Sequence, residues 1–191
     1  MPIRPAFNHD RAVQKIKDAT TVAKAIFKRK NYEEAVPYFR EAYFIAKKMD
    51  DNGLELSCLN NFISSLRMIG AAGCSEAENY IDRALDLVAE NSMLCDANSC
   101  INAYINVGSV WILKHEWLFA ITMFNAAEDF IAKARATGLT VTAKMEGLAT
   151  QCAAQARMGL AMDAPEQRDA LTTEIDRRLR LVLALDLPNE V

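Results

Sequence analysis

The stretch Asn31-Tyr-Glu-Glu-Ala-Val-Pro-Tyr-Phe-Arg-Glu-Ala42 decides how this chain folds. Tyr32, Ala35, Phe39 and Ala42 stand at offsets 0, 3, 7 and 10, which trace one face of an α-helix. Trp117, Ala120, Phe124 and Ala127 repeat all four offsets, and Cys74, Ala77, Ile81 and Ala84 repeat them with a weaker first residue. The leading alanines Ala35, Ala77 and Ala120 lie 42 and 43 residues apart. A nearly constant period of that size predicts stacked pairs of helices.

The segment upstream of each unit has its own pattern. Tyr104, Val107, Gly108 and Trp111 stand at offsets 0, 3, 4 and 7, as do Ala19, Val22, Ala23 and Ile26. The small third residue lets two helices approach closely while the larger ones fill the space beside it. In the middle unit Asn61-Phe62-Ile63 aligns with Asn106-Val107-Gly108, provided two extra residues sit in the turn Ile69-Gly-Ala-Ala-Gly-Cys74. Gly53 and Gly138 suit helix C-termini. A fourth pair is expected from Thr140 to about Met162, followed by a helix opening at Asp163-Ala-Pro-Glu166, with Asp163 as N-cap and Pro165 in the first turn. That last helix carries Leu171, Ile175, Leu179, Val182 and Leu183 at helical spacing but lacks the aromatic–alanine signature, so it reads as a cap.

Composition agrees with one helical domain. The chain has 191 residues, of which 51% are apolar, too many for disorder. Seven glycines and five prolines are too few for the frequent turns of a β-sandwich or barrel. A net charge of −3 does not mark a polyanion binder. The first residues lack the apolar core of a secretory signal, Asp10 argues against a mitochondrial presequence, and no apolar run reaches membrane-spanning length. Cys58, Cys74, Cys95, Cys100 and Cys152 are odd in number and form no CxxC pair. They read as buried reduced thiols, which points to the cytoplasm, with other intracellular compartments left open.

Large–small spacing in a first helix, then Tyr/Trp–Ala–Phe–Ala in a second, resembles the tetratricopeptide repeat. The long period is similar to that of the long-hairpin branch found in kinesin light chains and soluble NSF-attachment proteins. The resemblance covers about Ala19 to Ala134, three-fifths of the chain. It implies an all-α fold: a right-handed superhelical stack of antiparallel helix hairpins, an α-solenoid of about three repeats plus a degenerate fourth hairpin and capping helix. Residues 1–191 then form a single domain, with an N-terminal extension over 1–12, three repeats over 13–138 and the degenerate hairpin and cap over 139–191.

Chemistry-bearing motifs are sparse. Neither His9 nor His115 has a second ligand at helical spacing, so no metal is expected. His9 reads as a helix start and His115 as part of a turn. No phosphate-cradling glycine loop and no nucleophile elbow occurs, so no cofactor and no catalytic residue is expected, and the chain reads as a non-enzyme. Glu33-Glu34 and Asp50-Asp51 fit helix starts or turns. Trp111, Trp117 and Phe124 occupy signature positions and read as core, whereas Phe119 falls off the stripe. Arg177, Arg178 and Arg180 have Asp169, Glu174 and Asp176 nearby on the same helix, so intrahelical pairing accounts for them better than nucleic acid does.

The resemblance further implies that the first helix of each pair lines a concave groove. The positions just off the packing stripe are Lys17, Lys24 and Lys28 in unit one, Asn60, Asn61 and Arg67 in unit two, and Asn102, Asn106 and Ser109 in unit three. Long-hairpin relatives hold extended peptides with groove asparagines, and Asn61 and Asn106 match that placement. An amide both donates and accepts, which suits it to a peptide bond; the alternative is that these asparagines are solvated or cap loops. The lysines and Arg67 favour an acidic peptide, or else form an ordinary solvated face. A chaperone-type carboxylate clamp is disfavoured, because Thr20 and Thr21 stand where an asparagine would help, and Asn102 and Asn106 where Lys and Arg are expected. Two functional classes follow: an adaptor that binds a peptide segment of a partner in its groove, or a structural subunit of a large assembly held through its convex face and its ends, Met1–Pro5 and Leu187–Val191.

Overall fold

The computed structural model describes residues 8–91 and 96–183, and these are all-α. The helices are α1 (His9–Lys28), α2 (Tyr32–Ala46), α3 (Asn52–Met68), α4 (Ala71–Ala77), α5 (Ile81–Asn91), α6 (Ala97–Leu113), α7 (Trp117–Ala136), α8 (Ala143–Asp163) and α9 (Arg168–Leu183). A short 3-10 turn, Glu78–Tyr80, joins α4 to α5, and another, Pro165–Gln167, precedes α9. Neighbours pack in sequence: α1 on α2, α2 on α3, α6 on α7, α7 on α8 and α8 on α9. Contacts beyond chain neighbours include α3 with α6, α6 with α8, α3 with α5 and α4 with α6.

Local chemistry sets the boundaries. Asn8, Asp51, Asp96 and Thr142 each accept a backbone N–H of the first helical turn, from Arg11 and Leu54 at 2.9 Å, Asn98 at 3.2 Å and Met145 at 3.3 Å. Each such cap contributes about 1 kcal/mol. The turns reverse through left-handed residues: Lys30, Asp50, Gly70, His115 and Gly138 all have positive φ.

The repeat signature is where the core lies. Ala35, Phe39, Ala42, Cys74, Ala77, Ile81, Ala84, Ala120, Phe124 and Ala127 are all buried, with Tyr32 and Trp117 half-buried. Each buried large side chain contributes roughly 1.5–3 kcal/mol, and the alanines between them bring the helix backbones close. At Gly108 the approach is close: a Cβ there would lie 2.6 Å from the Phe124 ring, and one at Gly159 would lie 2.4 Å from the Trp117 ring. One continuous apolar cluster runs from α1 to α6, and two smaller ones join α6 and α7 to α8.

Several expected details differ. Gly53 lies inside the first turn of α3 rather than ending the preceding helix; α2 stops at Ala46, and Asp50 takes the left-handed conformation that the glycine was expected to supply. Asp163 ends α8 instead of capping α9, because its carboxylate accepts the indole N–H of Trp117. Val22 is 42% exposed, so the first helix of unit one buries Ala19 and Ala23 but not the whole stripe. Cys95, the expected end contacts Met1–Pro5 and Leu187–Val191, and the side chains of Leu179, Val182 and Leu183 lie outside the described residues.

Candidate functional site

Helices α3, α6 and α8 contact one another in turn, whereas α1 packs on α2. Lys24 of α1 acts electrostatically on Cys58 of α3. Asn60 of α3 donates its Nδ2 to the Ser99 carbonyl of α6 at 2.9 Å, and Asn106 of α6 donates back to the Asn60 carbonyl at 3.2 Å. Asn98 of α6 accepts both the backbone N–H and the hydroxyl of Thr142, which caps α8, each at 3.1 Å. The first-helix positions of units two and three therefore fall on helices in direct contact, while those of unit one lie on α1, which packs on α2.

Within that set the nine candidates separate by burial. Lys17, Lys24 and Lys28 are exposed on α1, at spacings that put them on one side of the helix, and none makes an ion pair among the described residues. Asn61 and Asn102 are half-buried and make no hydrogen bond there. Asn60, Asn106 and Ser109 are buried, and their donors are spent inside the protein: the two asparagines tie α3 to α6, and Ser109 Oγ donates to the Ile105 carbonyl at 2.7 Å. The two asparagines are held by the facing helix and Ser109 by its own, and none of the three is exposed. Arg67 is half-buried near the end of α3, and its Nε is buried with no hydrogen-bond partner.

The described thiols are passive. Burial pushes the Cys58 thiol up to about 11, against the opposing pull of Lys24. Burial likewise raises Cys74 and Cys152, although Arg67 acts on both in the opposite direction. Cys58, Cys74 and Cys100 are buried free thiols, and Cys152 is half-buried. Thiols so raised stay protonated at neutral pH and are poor nucleophiles. Among the described residues no group of three His, Cys, Asp or Glu side chains could hold a metal ion.

Sequence reasoning missed the ion pairs and the arginine–asparagine hydrogen bond that brace the helices. Arg83 of α5 grips the buried Glu55 of α3 through Nε at 2.9 Å and Nη2 at 2.7 Å. Arg40 of α2 reaches Glu76 of α4 with two bonds of 2.6 and 2.9 Å. Arg157 of α8 donates to Asn125 of α7 at 2.7 Å. Glu55 and Arg157 carried a usable signal, because each is a charged residue amid apolar or alanine neighbours on its helix. In α9 the expected intrahelical pairing is present, Arg177 with Glu174 and Arg180 with Asp176, both at 2.8 Å. No helix among the described residues is long and apolar enough to cross a membrane. The chain matches no family model and no curated protein.

Proposed function

We propose that this protein is a non-enzymatic interaction scaffold of the tetratricopeptide type, and that a segment of a partner protein lies along the face formed by α1, α3, α6 and α8. In this reading the hairpins form a right-handed superhelical stack, these first helices line its concave side, and the protein works in a reducing compartment such as the cytoplasm. The observation that carries it is the contrast within that face. On these helices Ala19, Ala23, Phe62, Ile63 and Val107 are buried, whereas Lys17, Lys24, Lys28, Asn61 and Asn102 keep polar groups free of internal partners.

The test is capture from a displayed library of disordered protein segments. A Lys17→Glu/Lys24→Glu/Lys28→Glu variant and an Asn61→Ala/Asn102→Ala variant change exposed or half-buried groups, so both should keep the wild-type helical circular dichroism. Both should lose most of the captured segments; capture equal to wild type in both variants rules out this face as the binding surface.

A second reading, a structural subunit of a larger assembly, is favoured by one specific feature. Leu118 (65% exposed), Phe119 (59%) and Met162 (77%) leave large apolar side chains uncovered on α7 and α8. Under that reading a Leu118→Ser/Phe119→Ser variant loses its companions during mild extraction from cells, while the lysine variant keeps them.

A further inference from the structure

We propose that the flank of α7 turned toward α5 is a docking seam for one helix of a partner protein, a helix whose apolar residues follow heptad spacing and are bordered by lysine and arginine. The inference rests on the assembly reading above and names the chemistry of the companion.

The two flanks of α7 differ. One is closed by α8: Asn125 takes Arg157, Arg135 takes Glu146, and Trp117 donates to Asp163. The opposite flank carries Phe119, Met123, Ala126 and Phe130, at steps of four, three and four residues. Those steps are the a/d spacing of a coiled-coil seam, which is complementary to another helix. Met123, Ala126 and Phe130 are half-buried, and Phe119 is 59% exposed. The apolar surface continues onto α6, where the half-buried rings of Trp111 and Tyr104 lie 5.4 Å from Phe119 and 6.3 Å from Phe130. From Phe119 to Phe130 the seam is roughly three helical turns long, about 16 Å at 1.5 Å per residue. Helices α5 and α7 both pack on α6 without substantial contact with each other, which leaves a furrow between them. Leu85 of α5 packs against the same core cluster as Met123 and Phe130, so α5 forms the other bank.

Charge selects the occupant. On the α5 bank Asp82 and Asp86 are exposed and make no hydrogen bond or ion pair among the described residues, and Glu116 stands exposed where α7 begins. The nearest cation, Lys114, is already paired with Glu78 and lies over the Trp111 ring; Lys133 comes only beyond the last seam residue. The border is therefore acidic. It suits a helix whose apolar stripe is flanked by long cationic side chains, with their stems on the apolar surface and their charges at the aspartates. It also disfavours a second copy of this chain, because a twofold contact sets the same patch against itself and brings like charges together.

The probe is a fluorescein-labelled two-heptad peptide with leucine at a and d, lysine at e and g, and alanine or glutamine elsewhere. One control has glutamate in place of lysine, and the other has the same residues shuffled out of heptad register. Fluorescence anisotropy compares wild type with Phe119→Ser and Asp82→Lys/Asp86→Lys. All three positions are exposed, so both variants should keep the wild-type circular dichroism, and either one decides if the other fails to fold. Wild type should bind the lysine peptide and neither control. Phe119→Ser should bind it about tenfold or more weakly. Asp82→Lys/Asp86→Lys should invert the preference and bind the glutamate peptide, an exchange that unspecific adhesion of leucine does not produce. No binding by wild type, equal binding of the shuffled peptide, full binding by Phe119→Ser or an unchanged preference in the double-lysine variant overturns the proposal. The assembly reading then still stands or falls by its own measurement, the companions lost from Leu118→Ser/Phe119→Ser. Sedimentation of wild type alone adds one more outcome: a dimer that Phe119→Ser dissociates shows that a second copy covers the seam, and overturns the partner helix.

Discussion

Glu55 is the residue on which the middle of the molecule turns. It is 3% exposed in the first turn of α3, on a helix whose next buried residues are Leu56, Cys58 and Leu59. Arg83 is bonded to it through two nitrogens and also lies 3.8 Å from Glu90. The pair acts on the buried Tyr43, whose hydroxyl is pushed up to about 12, chiefly by burial and next by the Glu55 charge. Removing one partner of a buried pair leaves the other desolvated. We expect Glu55→Gln, which keeps the shape and removes the charge, to lower stability to urea by about 2–4 kcal/mol. Glu55→Gln/Arg83→Met should recover part of that loss. A change below about 0.5 kcal/mol in the single variant would place the pair among weak surface salt bridges. At this scale the sequence was only partly legible. The exposure of Lys17, Lys24 and Lys28 follows from helical spacing, but an asparagine that ties two helices together, such as Asn60, has the same local signature as one left free, such as Asn61. Only the position of the neighbouring helix separates them, and that depends on residues some 40 positions away, such as Ser99 for Asn60.

Elements were far more legible, because the signal is repeated and additive. Burying the fourfold Tyr/Trp–Ala–Phe–Ala spacing requires a helix, and α2 and α7 begin at Tyr32 and Trp117, the first signature residues. What escaped were the ends. The expected stop at Gly53 and start at Asp163 both relied on local residue preference, and in each case a specific partner prevailed: Asp51 caps α3 through Leu54, and Trp117 claims Asp163. The small residue of the first-helix pattern makes the sharpest claim at this scale. Gly108→Ala improves intrinsic helix propensity by about 1 kcal/mol, but the added methyl would meet the Phe124 ring on the facing helix. Overpacking of that kind costs about 1–3 kcal/mol, so the variant should be net destabilised in chemical denaturation. Gly108→Ala/Phe124→Leu should be less destabilised than the sum of its parts, because the smaller side chain vacates the space. Strict additivity would show that α6 and α7 do not meet through this contact.

At the scale of the whole molecule the apolar residues form an uneven series of interfaces. The cluster running from α1 to α6 contains Phe39, Tyr43, Leu56, Leu59, Phe62, Ile63 and Leu66, whereas the buried apolar side chains of α8 are alanines: Ala149, Ala153, Ala154, Ala156 and Ala161. An alanine buries a single methyl group, so it contributes much less than the roughly 1.5–3 kcal/mol of a leucine or phenylalanine. Chains whose elements touch mainly their neighbours need not open all at once. Native-state hydrogen exchange should therefore resolve two tiers: amides of α8 and α9 exchange through a lower-energy opening, and those of α3 and α6 only near global unfolding. Ala153→Leu does not reverse the order, since the added bulk is inserted against Ala120 and Phe124 in an already filled cluster; it should widen the gap between the tiers. The measurement is exchange by mass spectrometry across a low-denaturant series. Equal opening energies throughout α3, α6, α8 and α9 would show a single cooperative core, and the modular picture that follows from the repeat spacing would have to be abandoned.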